Sequence, residues 1–377
     1  MPKRRVSLLF LGDPTLDRRI QSFAEMFRAS GYDVRMYFSI PGQTAVTVLD
    51  ESIQLPSRYA SGPRMFLGHH AALRKHLSEI SRSDVIVACD LYSLRAAAQA
   101  KRGSTRSILL YDARELYTGL PAVAKRPFIR YFWKKWEAGG MLDADFISIT
   151  APHDADAIFR VHSFLPRPLL IRNIPLREKI TPDRKYLQSL GMSERENVAV
   201  YVGGLQQDRG LEGSIRALKH CEASVKLLLL GSGSLESPLK ELAKTAGVAS
   251  RVIFAGAVAQ ESVMPILAAC DVGLSLIEAN SPSYSLALPS KVFEYLHAGL
   301  PVISTELKHV IELFDHQPYI RYVQPIDERA IANAITAFLG KKQELSAIIE
   351  QAASQYSFES DFESLRVLLD ERLAERR

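Results

Sequence analysis

Short apolar runs that end in a glycine or a polar turn recur along the first half of the chain. The first of them, Arg5–Leu11, is followed from about Leu16 by apolar residues at helical spacing that stop at Gly31, and then by a second run, Val34–Ile40. Continuous apolar runs are typical of strands buried on both faces, and a strand–helix–strand unit of about 35 residues requires a parallel sheet. Further strands of that sheet are predicted at Asp84–Cys89, Ser107–Tyr111, Phe146–Thr150 and Leu169–Ile171.

The same alternation restarts after a stretch rich in proline and charge, which predicts a linker over residues 173–183. Two such series predict the α/β class, with one Rossmann-like domain over residues 1–172 and another over residues 184–355. Residues 356–377 are charged and have a helical period, which predicts a terminal helix that either packs back on the first domain or lies in solvent. The strands of the second domain are predicted at Asn197–Val202, Val225–Leu230, Arg251–Phe254, Val272–Leu276 and Pro301–Ser304.

Composition and cysteine usage indicate a soluble protein of a reducing compartment, which predicts a cytoplasmic location. The 377 residues are 47% hydrophobic and 24% charged, and no apolar stretch approaches the length of a membrane span. The basic and then apolar N-terminus has the start of a signal-peptide pattern, but its apolar run is short and no cleavage site follows, so a buried first strand is the better interpretation. The three cysteines, Cys89, Cys221 and Cys270, show neither metal spacing nor a disulfide framework.

Charge is distributed unevenly between the two halves. Residues 1–180 contain 27 Lys and Arg against 17 Asp and Glu, whereas the remainder is mildly acidic. A basic half suits an anionic partner, such as a phosphate or an anionic membrane surface. Nucleic acid is not expected, because no recognised binding module accompanies the charge.

The block from Leu288 to Ile303 is the strongest candidate for chemistry. Pro289 suits the first turn of a helix, and Ser285 to Ser290 form its lead-in loop. The helix start would offer N–H groups and a positive dipole end to a diphosphate, and Lys291 would add a full charge. Glu294, one turn further along, would accept hydrogen bonds from a ribose diol. The alternative is an amphipathic helix with an ordinary surface Lys–Glu pair.

Two glycine turns follow predicted strands of the same domain. Gly203 and Gly204 let the backbone approach a ligand closely, and Arg209 offers a bidentate fork to a diphosphate; the alternative is a glycine turn with a solvated arginine. Gly231 and Gly233 form a tight strand-to-helix turn near a ligand. They are no dinucleotide fingerprint, because position 236 is Glu rather than a third glycine. All three blocks fall at the carboxyl ends of strands, where open α/β sheets bind ligands.

In this order of motifs the second half resembles the donor domain of retaining glycosyltransferase family 4. The resemblance implies the GT-B architecture, in which two Rossmann-like domains face each other across a cleft. It also implies that Arg209 and Lys291 contact the diphosphate and that Glu294 holds the ribose. Two positions depart from the family pattern. Gly204 stands where many members have Arg, which implies one phosphate contact fewer. Leu286 stands where many have a Glu that contacts the donor sugar, and the backbone amides of the Ser285–Ser290 loop are the expected substitute for that contact.

The first half resembles the family less specifically. Gly12 and Asp13 end the first strand, and Asp17-Arg18-Arg19 follows them as a "D-R-hydrophobic" pattern, in which the resemblance places Asp17 and Arg18 on the acceptor side. The segment Tyr111–Leu116 resembles a strand-end block in which the family usually has His at the Arg114 position. An arginine stays protonated, so Arg114 would bind the acceptor or stabilise phosphate charge, and Asp112 or Glu115 would be left for proton work. The alternative is an Asp–Arg–Glu cluster that holds a loop.

Two further patterns concern metals and membranes. The Asp-x-Asp strings at residues 143–145 and 154–156 fit strand and helix starts better than a metal site, so we expect no metal and no cofactor. The basic and aromatic segment 125–136 is either a helix with buried rings and a solvated basic side or a helix that lies on an anionic membrane surface. The second interpretation would place the protein peripherally at the inner face of a membrane and would suit a lipid-linked acceptor.

The sequence therefore predicts a glycosyltransferase that moves a sugar from a UDP- or GDP-sugar to a hydroxyl of a saccharide or lipid-linked acceptor, with retention of configuration. Surface polysaccharide or glycoconjugate synthesis is the expected setting. Two alternatives remain open: a nucleotide-sugar epimerase of the same fold, which would need no acceptor, and a non-catalytic relative that binds a partner.

Overall fold

The chain forms two units. A computed structural model describes residues 3–49, 51–114, 117, 126–152, 168–280 and 287–376. Unit 1 consists of Met1–Asn173 together with Phe358–Arg377, and unit 2 consists of Ile174–Ser357. Among the helices that the structure describes, none is long and apolar enough to cross a membrane.

Unit 1 is built on a sheet of eight strands in the order β3-β4-β2-β1-β5-β6-β7-β8. Neighbouring strands are parallel except for the antiparallel pair β3–β4 at one edge. The central strands are buried along almost their whole length because helices cover both faces of a parallel sheet. The strands are β1 (Arg5–Leu11), β2 (Asp33–Ser39), β3 (Thr47–Leu49), β4 (Ser52–Gln54), β5 (Val85–Ala88), β6 (Ile108–Ala113), β7 (Phe146–Ile149) and β8 (Leu169–Leu170).

The helices of unit 1 include the last one of the chain. They are α1 (Arg18–Ala29), α2 (Pro63–Arg74), α3 (Leu77–Ile80), α4 (Leu91–Arg102), α5 (Pro127–Met141) and α14 (Phe358–Glu375). Helix α14 packs against α1 through buried aromatic rings, with the Phe362 and Phe27 centroids 5.0 Å apart and nearly perpendicular. The backbone N–H of Arg172 and its guanidinium both donate to the carboxylate of Asp361 on α14, so the end of the chain is fixed to unit 1 by charge as well as by packing.

Unit 2 has a six-stranded, wholly parallel sheet in the order β11-β10-β9-β12-β13-β14. The strands are β9 (Asn197–Val202), β10 (Val225–Leu230), β11 (Val252–Gly256), β12 (Val272–Ser275), β13 (Val302–Ser304) and β14 (Ile320–Tyr322). The helices are α6 (Arg184–Ser189), α7 (Leu211–Ala217), α8 (Glu236–Thr245), α9 (Gln260–Ala268), α10 (Ser290–His297), α11 (Lys308–Phe314), α12 (Glu328–Phe338) and α13 (Lys342–Gln355). In chain order this is the arrangement 3-2-1-4-5-6 of a doubly wound fold, so the predicted α/β class is confirmed.

Most apolar runs became strands close to their predicted bounds, and β9 and β10 match them at both ends. Three short strands, β3, β4 and β14, were not predicted, because three residues of mixed polarity carry no periodic signal. Helix α1 begins at Arg18 rather than near Leu16. The reason is that the carboxylate of Asp17 accepts a hydrogen bond from Ile20 N at 3.0 Å and thereby caps the helix.

Candidate functional site

The chain order of the strands in unit 2 reverses direction between β9 and β12. From β9 the chain proceeds to β10 on one side, whereas β12 is followed by β13 on the other side. The two strands pair only through Ala199 with Val272 and Val200 with Gly273, and their carboxyl ends continue without pairing. Doubly wound sheets bind ligands at such a switch point, so the residues that follow β9, β10 and β12 are the candidates for the site.

The two glycine turns after β9 and β10 are packed directly against each other. Gly203 and Gly231 have φ of 130° and 144°, a region that side chains rarely adopt. A Cβ on Gly231 would lie 2.0 Å from the carbonyl oxygen of Gly203, and a Cβ on Gly233 would lie 2.3 Å from that of Leu205. Contact between the two turns therefore requires glycine at positions 231 and 233. The sequence alone suggests a different reason, close approach of the backbone to a ligand.

The side chain of Lys291 lies over the turn at Gly203. Its Nζ is 4.2 Å from the centroid of the Tyr201 ring, a cation–π contact, and would be 3.5 Å from a Cβ on Gly203. The Tyr201 hydroxyl in turn donates to the carbonyl oxygen of Gly204 at 2.9 Å. The Tyr201 side chain thus contacts the ammonium of Lys291 through the face of its ring and the glycine turn through its hydroxyl.

Arg209 and Glu294 are both close enough to act on the charge of Lys291. Burial and, to a smaller extent, the Arg209 guanidinium lower the pKa of Lys291, the Glu294 carboxylate opposes them, and the pKa that results is about 8. The same guanidinium acts on Tyr201, where burial is the larger effect and the pKa rises to about 12. Two cations and one acid therefore share a single electrostatic environment. Burial and the neighbouring guanidinium both disfavour the charged form of Lys291. A bound anion would stabilise that charged form.

Helix α10 presents its N-terminus at this place. It begins at Ser290, which is partly buried, and Pro289 precedes it in an extended conformation instead of occupying its first turn. A proline has no side-chain acceptor with which to cap the helix, and Lys291 lies in the first turn, so N–H groups and a full positive charge occur together. Ser285 and Leu286, which were predicted to complete this loop, lie outside the described residues.

Tyr295, which the sequence analysis did not select, fixes helix α10 to the sheet. Its hydroxyl accepts from Val202 N at 3.1 Å and donates to the carbonyl oxygen of Leu274 at 3.0 Å, and it thereby joins β9 to β12 where their own pairing has ended. Lys291 lies one helical turn before Tyr295. The signal available in the sequence was a tyrosine inside a helix whose other large apolar residues are core formers.

The loop that carries Arg209 is held to the loop that follows β12. Asp208 has a positive φ of 63°, and Asn280 Nδ2 donates to its carboxylate at 2.6 Å while Glu278 N donates to its backbone oxygen at 3.1 Å. Gly210 caps α7 in the left-handed region, where a Cβ would lie 2.5 Å from that of Leu276. Conformations of this kind persist only where the surroundings enforce them, so the backbone beside Arg209 is fixed before any ligand binds.

In unit 1 the predicted residues form a network of ion pairs. Asp112 is fully buried and accepts from Arg19 Nε and Nη2 at 2.8 and 2.6 Å and from the Ser148 hydroxyl at 2.7 Å. Burial alone would raise the pKa of Asp112, but Arg19 and Arg114 outweigh burial and lower it. A carboxylate that is sealed from solvent and held by two guanidiniums is poorly suited to proton transfer.

Arg114 is similarly engaged. Its Nη2 and Nη1 donate to the two carboxylate oxygens of Asp17 at 3.0 and 2.5 Å, and Asp17 also caps helix α1. Arg114 Nε lies 3.4 Å from Asp112, and the guanidinium lies 5.0 Å from the centre of the Phe10 ring. The geometry favours the alternative interpretation, a cluster that holds strand ends together. Glu115 lies outside the described residues.

The remaining candidates of unit 1 form the turn after β1. Asp13 accepts from the backbone N–H and the hydroxyl of Thr15 at 2.9 and 2.7 Å, and Gly12 N donates to the carbonyl oxygen of Ser39 at 2.9 Å. Arg18 is partly buried at the first position of α1. The buried cation of this region is its neighbour Arg19, which the sequence analysis did not select although it forms part of the same motif.

Both carboxylates of the Asp-x-Asp string at residues 143–145 form ion pairs with basic side chains of unit 1. Asp145 pairs with Lys101 and Arg376, and Asp143 accepts from Arg102 Nη2 at 2.6 Å. Within the described ranges no group of three or more His, Cys, Asp or Glu could hold a metal ion. The string at residues 154–156 lies outside those ranges.

Comparison with known proteins gives unit 2 a family. Residues 196–341 match the model of the family Glycosyl transferases group 1, so unit 2 contains a domain of that family. TuaC of Bacillus subtilis (strain 168), whose name assigns it as a glycosyltransferase of teichuronic acid biosynthesis, is 30% identical over 149 residues, which are 40% of this chain and 34% of TuaC. The chain thus matches about a third of the length of that relative.

A longer match covers most of the chain. WaaG of Escherichia coli (strain K12), named as a lipopolysaccharide glucosyltransferase, is 25% identical over 310 residues, 77% of this chain and 76% of WaaG. Among solved structures, HepE from Anabaena in complex with UDP matches with a TM-score of 0.71 and 16% identity, over 98% of this chain and 100% of that chain. This likeness concerns the fold, which is the GT-B fold predicted from the sequence, with two parallel-sheet α/β units.

Proposed function

Since unit 2 contains a glycosyl transferases group 1 domain, we propose that it binds the nucleotide diphosphate of a sugar donor and that the protein transfers the sugar to an acceptor hydroxyl. The observation that carries this proposal is the position of Lys291, held over the ring of Tyr201 at the switch point of the sheet and beside Arg209. Two cations next to a helix start whose N-cap residue, Pro289, has no side-chain acceptor form a site for a diphosphate.

The chemistry assigned to these residues is stabilisation of the leaving group. The bond between the anomeric carbon and the diphosphate oxygen breaks, and negative charge grows on the diphosphate. The acceptor oxygen forms the new glycosidic bond, and the proton of its hydroxyl passes to the departing diphosphate. Lys291, Arg209 and the first N–H groups of α10 neutralise that charge, which is the largest contribution that a preformed site makes to such a reaction. Glu294, one turn after Ser290, is assigned to the ribose hydroxyls.

The finer assignments rest on the resemblance to the family. We propose a UDP- or GDP-sugar as donor, retention of configuration, and catalysis without a metal, since Lys291 and Arg209 supply the charge that a divalent cation would otherwise provide. The names of TuaC and WaaG support a role in polysaccharide or glycoconjugate synthesis, with a saccharide or lipid-linked acceptor. A lipid-linked acceptor would bring a cytoplasmic protein to the inner face of the membrane.

Binding and transfer test this function separately. Calorimetry with UDP, GDP, ADP and dTDP should show binding of one of them to the intact chain, and K291A and R209A should weaken that binding strongly. K308A removes an exposed lysine of unit 2 and is the matched control, with binding expected to equal that of the wild type. Normal affinity in both K291A and R209A would remove the basis of the proposal.

Transfer is measured with the corresponding sugar donors and a panel of saccharide and lipid-linked acceptors. Nuclear magnetic resonance of the product identifies the anomer and so tests retention, and a chelator tests independence from metal. Appearance of an isomerised donor without acceptor would instead identify an epimerase. Binding of no nucleoside diphosphate at all would favour a non-catalytic protein.

A further inference from the structure

The first two turns of helix α5 expose aromatic rings that soluble proteins usually bury. Phe128 is 89% exposed, Tyr131 is 64% exposed and Phe132 is 48% exposed. Residues three and four apart lie on the same side of a helix, so these three rings form one continuous apolar strip. A clustered strip of this kind marks an interaction surface, unlike single exposed apolar residues, which are common.

The strip is rigidly held, because the following turns of α5 are anchored in the core of unit 1. Trp133 is buried, with its ring centroid 5.4 Å from that of Phe66 on α2, and a Cβ on Gly140 would lie 2.5 Å from Leu94 Cγ on α4. Arg95 of α4 also donates to the carbonyl oxygen of Trp136 at 2.8 Å. The buried ring of Trp133 agrees with the interpretation of segment 125–136 as a helix packed on the core. The exposed rings fit the other interpretation, a helix that lies on an anionic membrane surface.

Positive charge surrounds the strip. Arg126, Arg130, Lys134 and Lys135 are all exposed, and residues 126–136 contain no acidic residue. Lys135 Nζ lies 5.7 Å from the centroid of the Tyr131 ring, so ammonium groups and aromatic faces alternate on the same surface. The acidic residue that follows, Glu137, is buried and lies off this surface; its carboxyl group accepts from the Tyr111 hydroxyl at 2.8 Å, and burial raises its pKa to about 7.

We propose that this basic-aromatic face, formed by Phe128, Tyr131, Phe132, Lys134 and Lys135, docks on an anionic lipid bilayer. Aromatic rings enter the region between head groups and acyl chains, and lysines beside them meet the anionic phosphates. A protein partner fits less well, since protein interfaces are depleted in lysine, and Lys134 and Lys135 lie beside these rings. The docking extends the proposed function by naming where a lipid-linked acceptor is met, and it rests on that function for this point alone.

Co-sedimentation of the full chain with vesicles tests the docking. Vesicles of phosphatidylcholine and phosphatidylglycerol should bind the protein at low salt, binding should decline as salt rises, and vesicles of phosphatidylcholine alone should bind little. F128S/Y131S should lower the partition coefficient by about a hundredfold or more, because burial of each of the two rings contributes at least about tenfold. K134A/K135A should lower it by about 25-fold, from about fivefold for each of the two cations.

Control variants remove exposed apolar or cationic side chains elsewhere on unit 1. V46S/V48S deletes two exposed apolar residues, and K75A/R106A deletes two exposed cations; both should partition as the wild type does. Failure of the wild type to sediment with anionic vesicles at low salt would overturn the proposal, and so would an equal loss in the control variants. Self-association in the absence of lipid that F128S/Y131S abolishes would also overturn it, because the face would then belong to a second copy of the chain.

Nucleotide calorimetry on the same variants separates this proposal from the proposed function. F128S/Y131S and K134A/K135A should bind the nucleoside diphosphate as the wild type does, since both changes lie in unit 1. Vesicle binding by a protein that binds no nucleotide would leave the docking intact and remove the enzyme assignment. Nucleotide binding and transfer to a water-soluble acceptor without vesicle binding would keep the enzyme assignment and remove the docking.

Discussion

A Cβ on Gly273 would lie 2.2 Å from Cγ of Tyr295, so the glycine and the aromatic ring share space that admits no methyl group. Through this contact the Tyr295 ring reaches the gap between β9 and β12, and its hydroxyl bonds to Val202 and Leu274 on the two strands. Lys291 lies one turn earlier on the same helix. The position of a cation at the proposed donor site therefore depends on a glycine in a buried strand.

We expect G273A to lower the free energy of unfolding by about 1–3 kcal/mol, the usual cost of forcing extra atoms into a packed core. Because the ring must move, and the helix with it, affinity for the nucleoside diphosphate should fall as well. Urea denaturation and calorimetry measure the two effects. The control is G68A, where no heavy atom lies within 4 Å of the new Cβ and a helical alanine is neutral or stabilising. If G273A is destabilised but its affinity for the nucleoside diphosphate is unchanged, Tyr295 does not position the nucleotide site.

Substitutions at Tyr201 distinguish its ring from its hydroxyl. Y201L removes the aromatic face beneath Lys291 and should weaken nucleotide binding by about 2- to 30-fold, which corresponds to the usual 0.5–2 kcal/mol of a cation–π contact. Y201F keeps that face and loses only the hydrogen bond to Gly204, so it should bind more tightly than Y201L. Calorimetry at one pH compares the three proteins. Equal affinities in Y201F and Y201L would assign the effect to the hydroxyl instead.

The sequence was sufficient for the features that depend on local pattern. Buried parallel strands appear as apolar runs, and turns appear as glycines, so β9, β10 and the turns at Gly203 and Gly231 were placed correctly. Lys291 could be selected because a lysine in the first turn of a helix suggests anion binding on its own.

The sequence was insufficient where a residue acts through a partner that is distant in the chain. Tyr295 bonds to residues 93 and 21 positions earlier, and Arg19 bonds to a carboxylate 93 positions later. Such pairs leave no periodic trace in one sequence. The glycines of the second turn, Gly231 and Gly233, were selected for nearness to a ligand, whereas contact with the neighbouring turn is what excludes a side chain there.

Nucleotide binding should weaken as pH rises through about 8. Burial lowers the pKa of Lys291 to about that value, so the ammonium loses its proton above it, and with the proton goes the charge that attracts a diphosphate. The free protein should show the opposite trend in stability. Its folded state binds the proton more weakly than the unfolded chain does, so stability rises with pH above 8.

Calorimetry and urea denaturation from about pH 6.5 to about pH 9.5 measure both trends on the two sides of the lowered pKa. K291R keeps its charge throughout this range, so its affinity should be nearly independent of pH. A wild-type affinity that is equally flat would show that Lys291 is not the titrating group.

Deletion of the Phe362 ring tests the attachment of the last helix to unit 1. F362A should lower the free energy of unfolding by about 3–5 kcal/mol, since a fully buried ring packed on Phe23 and Phe27 leaves a cavity that the helices cannot close. V367A, at a half-exposed position of the same helix, is the control and should cost much less. Nucleotide binding by the folded fraction should be unchanged in both, and urea denaturation with calorimetry checks these expectations.

The role of Asp112 is decided by comparing stability with transfer. D112N leaves the buried guanidinium of Arg19 without its counter-charge, and such a change costs about 3–5 kcal/mol, so the variant should be strongly destabilised. R19M/D112N removes both charges and should recover part of the loss, as two residues of one ion pair are not additive. Nucleotide affinity of the folded protein should be unaffected in either variant, because unit 2 is unchanged. If D112N instead keeps its stability and its nucleotide affinity while sugar transfer disappears, Asp112 takes part in the chemistry, and the ion pair with Arg19 positions a catalytic group as well as anchoring the strand.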